Sequence, residues 1–406
     1  MSARQRWLIV GGGIHGTHLA IRLLAAGVDR SQLRILDPHA RLLERWRVCA
    51  ENTGMTHLRS PAVHNLDVDA FSLLRFSGPP RGRRAGLFAA PYDRPALGLF
   101  NHHNDALVEE HRLAELHVQA SARRITLRCD AVEVEVEVGG TSNELLMCDR
   151  LILALGVGGQ PRWPAWAEGL RGGPRPRAAH VFEEGYVVPG TPPWRRVAVI
   201  GGGISAAQVA LRLAADPLVA VTVISRHEPR QAQFDSDPGW LGPKHMRAFH
   251  VERDLGRRRA LIDGARHRGS MPPEVLRALR RALRAGAIEW VRGEVQAADT
   301  HPGGVLLRGA TPAPIDVDFV LLATGFERRR PGGPLVDRLI ADHQLPCAEC
   351  GYPRIDNGLR WHPQILVSGA LAELQLGPVA RNIAGARYAA DAITRALARP
   401  PNARGA

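Results

Sequence analysis

Trp7-Leu-Ile-Val10-Gly11-Gly12-Gly13-Ile-His15-Gly16 turns a short apolar run into three glycines and then into an apolar-periodic stretch through Ala26. That order reads as strand, tight turn and helix. In such a turn the first glycine permits the bend and the second lets a pyrophosphate approach the backbone. The third position must be small for the helix to pack on the strand. Gly11, Gly13 and Gly16 meet all three requirements. Phosphates then sit at the positive end of the helix dipole. The next strand-like run, Leu33-Arg-Ile-Leu-Asp37, ends in an acid 21 residues beyond Gly16. A carboxylate there is placed to accept hydrogen bonds from an adenosine ribose.

The unit repeats 190 residues later as Val197-Ala-Val-Ile200-Gly201-Gly-Gly203-Ile-Ser205-Ala206, followed by a helix to about Ala215. Gly201, Gly203, Ser205 and Ala206 are its expected nucleotide contacts. Its second strand, Val221-Thr-Val-Ile-Ser225-Arg226, ends in a hydroxyl and a guanidinium where an acid would bind an unmodified ribose. A 2′-phosphate repels a carboxylate and attracts an arginine, so this second site is expected to take NADPH.

Between the two units, Val132-Glu-Val-Glu-Val-Glu-Val138 alternates for seven residues. With Arg124–Cys129 before it and Glu144–Cys148 after, it predicts a small antiparallel meander. Pro272 to Gly286 reads as a helix with arginines on its wet face. Strands alternating with helices mean α/β units, and 406 residues suit two domains. The composition, 45% hydrophobic and 23% charged, excludes a disordered or coiled-coil chain. The formal charge is +13, but Lys244 is the single lysine among 53 positive residues, leaving 52 arginines spread among 40 acids. That is a compositional bias more than a nucleic-acid surface, so no nucleic-acid partner is expected. Five cysteines make no disulfide framework and point to the cytoplasm. Cys347 and Cys350 form one Cys-x-x-Cys pair, read as a turn, with a redox role left open. No apolar run reaches the roughly 18 residues of a spanning helix, so no membrane association is expected. His102-His103 lacks paired ligand spacing, and no metal site is expected.

The arrangement resembles that of two-dinucleotide flavoproteins, in particular the lysine/ornithine N-monooxygenase-like group. Asp318-Phe-Val-Leu-Leu-Ala-Thr324-Gly325 is similar to the Asp-x-x-x-Leu-Ala-Thr-Gly pattern of that group, and Asp149-Arg-Leu-Ile-Leu-Ala-Leu-Gly156 is a degenerate copy. The resemblance implies a discontinuous FAD domain, residues 1–190 and 325–406, with an NADPH domain inserted at 191–324. Both would be Rossmann-like. It places FAD on Gly11, Gly13, Gly16, Asp37, Gly156, Gly369 and Pro378. It places NADPH on the second motif with Ser225, Arg226, Thr324 and Gly325. The implied reaction is oxygenation of a nucleophilic small molecule by O2 through a flavin hydroperoxide, with N-hydroxylation of an amine or amino-acid-like substrate first among the choices. Loop residues Met55, His57 and Arg59 are candidates for the flavin face, and Asp235 and Trp240 for the substrate pocket.

Two departures bear on the substrate. Baeyer–Villiger and S-oxidising flavin monooxygenases carry a Phe-x-Gly-x-x-x-His segment before the second motif, but Pro176 stands at the glycine position if His180 is the histidine. Ornithine-type enzymes hold the substrate carboxylate with a lysine in the FAD half, where this chain has none. An arginine must substitute, or the substrate is not a simple amino acid. The alternatives are a flavoprotein that passes NADPH electrons to another acceptor and a Baeyer–Villiger or S-oxidising flavin monooxygenase, and a homo-oligomer is compatible with everything above.

Overall fold

The computed structural model describes residues 4–79, 85–140, 142–172 and 175–398. The strand Gln5–Val10 is the centre of the first sheet, paired in parallel with Leu33–Asp37 on one side and Ser142–Leu153 on the other. His117–Gln119 closes one edge. On the opposite side Ile365–Val367 adds in parallel to Leu151–Leu153, so the C-terminal part of the chain returns to the first sheet. The helix Ile14–Ala25 packs against the C-terminal helix Ile383–Ala398 over that sheet. Apolar side chains at Trp7 to Val10 and at Leu33, Ile35 and Leu36 are buried between these layers.

The expected meander is present and grows out of the same sheet. Ser121–Leu127 pairs antiparallel with Val132–Val138. The latter pairs antiparallel with the first half of Ser142–Leu153, Val132 facing Cys148 and Val138 facing Ser142. The piece expected at Glu144–Cys148 is the first half of a longer element, Ser142–Leu153, antiparallel there to Val132–Val138 and parallel in its second half to Gln5–Val10.

The second sheet is all parallel, in the order Ile288–Arg292, Ala220–Ser225, Arg196–Ile200, Phe319–Leu322 and Ala178–His180. Ala178–His180 precedes residue 191, yet it pairs with Val320–Leu322 and belongs to this sheet. The boundary at 190/191 that the resemblance implies follows the second glycine motif, and three residues carry too little periodicity to announce a strand of their own. The helix Pro273–Arg284 packs Leu276 and Leu279 inward and leaves Arg277, Arg280, Arg281 and Arg284 exposed. Gly286 ends it with φ +69, a conformation glycine adopts without strain.

The outgoing and returning connections between the sheets run side by side. Arg162 N–H donates to Gly325 O at 2.9 Å, and Glu327 N–H donates to Gln160 O at 2.9 Å. Among the described residues no helix is long and apolar enough to cross a membrane. None of their histidines, cysteines and acids gather as a metal-holding cluster.

Candidate active site

The first turn is shaped by close backbone approach. Gly11 has φ +110, and a Cβ there would lie 2.5 Å from Ala154 O. A Cβ on Gly16 would collide with the Gly11 carbonyl oxygen. Gly13 differs, because a Cβ built on it meets nothing within 4 Å. The protein leaves open space over the one position where a pyrophosphate needs to come close, so the turn fits a dinucleotide.

Asp37 ends the neighbouring strand with its carboxylate fixed. Gly12 N–H donates to its Oδ2 at 2.6 Å, and His39 N–H donates to its Oδ1 at 3.0 Å. The His39 ring nitrogen Nδ1 lies 2.8 Å from the same Oδ1. Burial works against the charged carboxylate, but the bonds from His39 and Gly12 outweigh it and hold the Asp37 pKa below its usual value. The partner His39 is correspondingly raised by its bond to Asp37. An ionised, oriented acceptor at this strand end is what a ribose diol requires.

The second turn repeats the first, with Gly201 at φ +147 and a Cβ there 2.5 Å from Ala323 O. Ala206 is buried where the helix Ile204–Leu213 meets the strand, and Ser205 stands in that helix's first turn. Ser225 is buried and its Oγ donates to His227 O at 2.9 Å. Arg226 is exposed, with its guanidinium 3.8 Å from an equally exposed Glu294. It is therefore free to turn toward a phosphate. The His227 ring lies against Gly202 and Gly269, so His227 and Gly269 cover one side of this turn.

The remaining sequence candidates fall into two groups. Thr324 and Gly325 lie in the returning connection: Thr324 Oγ1 donates to Arg162 O and Gly325 O accepts from Arg162 N. Gly156 follows the strand Ser142–Leu153, with only Gly158 N near a built Cβ, at 3.9 Å. Met55 packs against the first core, and His57 Nε2 is 2.8 Å from Gly86 O. Arg59 crosses to the inserted half, donating to Gln233 O at 3.0 Å, Ala232 O at 2.7 Å, Phe234 O at 2.6 Å and Ser270 Oγ at 3.0 Å. Its guanidinium joins the halves.

Asp235 and Trp240 converge on the C-terminal segment that carries Pro378. Asp235 Oδ1 accepts from Asn382 Nδ2 at 3.2 Å. A Cβ on Gly377 would touch the Trp240 ring at 3.7 Å and Met246 Sδ at 3.2 Å. Gly369, with φ +67, lies beside the His15 ring, whose Nδ1 is 2.8 Å from Ser368 Oγ. His15 Nε2 is buried and has no partner. Burial pushes the His15 pKa down to about 4, so the ring is neutral. This joins the first dinucleotide turn to the segment after Ile365–Val367.

Sequence reasoning missed three of these features. His15 was visible inside the glycine motif, but its bond to Ser368 spans 353 residues. His39 sits two residues past Asp37, and its role needs the turn geometry. Glu373 is an acid inside the apolar run Gly369 to Leu376, a signal that a buried partner must exist. That partner set is three arginines, Arg259, Arg266 and Arg381.

Comparison with known proteins follows the same lines. Residues 8–158 match the family model for FAD-NAD(P)-binding proteins. Residues 108–284 match the family model for L-lysine 6-monooxygenase/L-ornithine 5-monooxygenase. No curated protein matches the sequence. Among solved structures, the ornithine N-hydroxylase of Kutzneria sp. 744 is similar at 18% identity and TM-score 0.78, over 98% of this chain and 99% of that one. The L-lysine 6-monooxygenase of Pseudomonas syringae is similar at 20% identity and TM-score 0.72, over 97% and 99%. A bacillithiol disulfide reductase from Bacillus cereus is similar at 18% identity and TM-score 0.64, over 98% and 99%. With its two glycine turns and its two sheets, the chain is similar over residues 8–158 to FAD-NAD(P)-binding proteins and over residues 108–284 to L-lysine 6-monooxygenase/L-ornithine 5-monooxygenase, and it shares the fold of these solved structures.

Proposed function

We propose that this protein is an FAD-dependent, NADPH-consuming monooxygenase that N-hydroxylates an amine or amino-acid-like substrate. The observation that carries the reading is one chain holding an acid-ended dinucleotide turn and an arginine-ended one, at Asp37 and Arg226, on sheets joined by paired connections. When bound, FAD reduced by NADPH supplies the activation of O2 that no side chain provides. The chain's own work is placement. Gly13 admits the pyrophosphate and Asp37 accepts from the ribose. Ser225 and Arg226 bind the phosphate end of the reductant, and Asp235 and Trp240 border the substrate. Such chemistry asks for orientation and water exclusion more than for an acid–base pair.

The reading is tested on purified protein. It should carry yellow flavin, and its NADPH oxidation should consume O2 faster when a substrate amine is added. A colourless protein that does not bind added FAD would overturn it. NADPH oxidation driven by a disulfide instead of O2 would favour the electron-transfer alternative. Against that alternative, burial pushes the Cys347 thiol up, away from the reactive thiolate. The five cysteines are free thiols, which supports a cytoplasmic setting.

A further inference from the structure

Glu373 is completely buried, and three guanidiniums reach it. Arg381 donates through Nε at 2.6 Å and Nη2 at 2.8 Å, Arg259 through Nη1 at 3.1 Å, and Arg266 through Nη2. Arg259 and Arg266 come from the inserted half, while Glu373 and Arg381 come from the C-terminal segment. Arg266 also donates to Pro378 O at 3.0 Å, and Arg381 to Tyr352 Oη at 2.9 Å. Three positive charges therefore share one negative charge where little water reaches, an imbalance that a further anion would relieve.

The imbalance is localised on Arg259. Its guanidinium lies over the Tyr352 ring, 4.1 Å from the centroid, and its Nη1 is used by Glu373. Its Nε and Nη2 are buried and have no partner. Those two N–H groups form one edge of the planar guanidinium, the edge that grips a carboxylate or phosphate with two parallel bonds. Arg47 and Arg94 each leave a single buried Nε unpaired; among the described residues Arg259 alone leaves a whole buried edge unpaired. The side chain as a whole is 16% exposed although Nε and Nη2 themselves are covered, so an anion reaches this edge only where its cover moves aside.

We propose that the Nε–Nη2 edge of Arg259 is an oxyanion site, taking a carboxylate or phosphate group. The same chemistry serves the acidic group of the substrate or a free small anion. The first source rests on the proposed N-hydroxylase reading, and it gives the substrate class as an amine that also carries an acid.

The site is tested without turnover, on FAD-loaded enzyme saturated with NADP+. Melting temperature is followed against acetate, inorganic phosphate, L-lysine and cadaverine, with sodium chloride at equal ionic strength as reference. Arg259→Lys keeps the charge for Glu373 but loses the edge, and Arg259→Gln is the second variant should the first fold poorly. Acetate and phosphate should stabilise the wild type beyond chloride, with apparent affinity about tenfold weaker in Arg259→Lys. L-lysine binding tighter than acetate, with cadaverine inert, assigns the site to the substrate. Acetate and phosphate binding with no gain from L-lysine assigns it to a free anion and removes the substrate reading. Equal responses of wild type and both variants overturn the site, whether or not the enzyme hydroxylates an amine.

Discussion

His180 and Thr324 are hydrogen-bonded across the two connections that join the sheets, with Nε2 and Oγ1 3.1 Å apart. Phe182 N–H donates to His180 Nδ1 at 3.0 Å, so Nδ1 is the acceptor and Nε2 carries the proton given to Thr324. Thr324 passes a bond on to Arg162 O. The stacked rings of Phe182 and Phe326, 4.8 Å apart, back the same junction. The outgoing and returning chains are thereby held in one relative position, and the arrangement requires a neutral histidine.

Acid should therefore weaken the fold before it reaches the carboxylates. Burial lowers His180, His15, His64 and His103 to about 4 and His18 to about 3, from an ordinary 6.5. Below pH 6.5 the unfolded chain takes up protons that the folded chain refuses. Stability is thus full above pH 6.5 and falls steadily as pH drops toward 4. His180 alone accounts for on the order of 3 kcal/mol at the end of that window. Melting temperature measured from pH 7.5 to 4.5 should fall across this range, and His180→Gln should flatten the slope. A flat profile in the wild type would contradict the assignment.

Gly13 and Gly16 should separate binding from folding. Gly16→Ala drives a methyl group into the Gly11 carbonyl, so the variant should be poorly folded with or without FAD. Gly13→Ala meets nothing in the protein and should fold normally while losing flavin, because the methyl group fills the space left for the pyrophosphate. Circular dichroism and the flavin absorbance of the purified variants decide the matter. Flavin retention by Gly13→Ala would remove the pyrophosphate from this turn.

Asp37→Ala should release flavin from a protein that stays soluble. Charged hydrogen bonds of this kind contribute about 1.5–3 kcal/mol, or roughly tenfold to a hundredfold in affinity. The loss of Asp37 also removes the bond that raises His39, so the His39 titration should move down in the variant. Nuclear magnetic resonance of His39 gives a second readout that does not depend on flavin.

Both dinucleotide units, the meander and the return of the chain to the first sheet were legible, because strand–glycine–helix order and strict alternation are local signals. The features that were not legible are those whose partners lie far along the chain. Ala178–His180 gives no sign of its partner Val320–Leu322. Arg59 read as a flavin-facing candidate because a loop arginine looks alike whether it meets a ligand or the carbonyls of residues 232–234. Glu373 and its three arginines come together only when the inserted half docks on the C-terminal segment. In a chain with 52 arginines, composition hides which few are buried.

Arg226 should set the choice of reductant. The strand Ala220–Ser225 ends one residue before it, and no acid occupies the position that would bind free ribose hydroxyls. The side chain is exposed, and its approach to Glu294 at 3.8 Å is a surface pair of little consequence for stability. Arg226→Ala should therefore melt with the wild type. A guanidinium gives a 2′-phosphate two charge-assisted bonds, and their loss weakens binding about tenfold to a hundredfold. His227 and Arg230 are close enough in sequence to share the phosphate, which favours the lower end. Rates of flavin reduction should then fall for NADPH and stay nearly unchanged for NADH. Equal losses with both nucleotides would make Arg226 structural, contrary to its exposure. A wild-type preference for NADH would mean that Ser225 and Arg226 do not read the phosphate at all, and the second site would have to be reassigned.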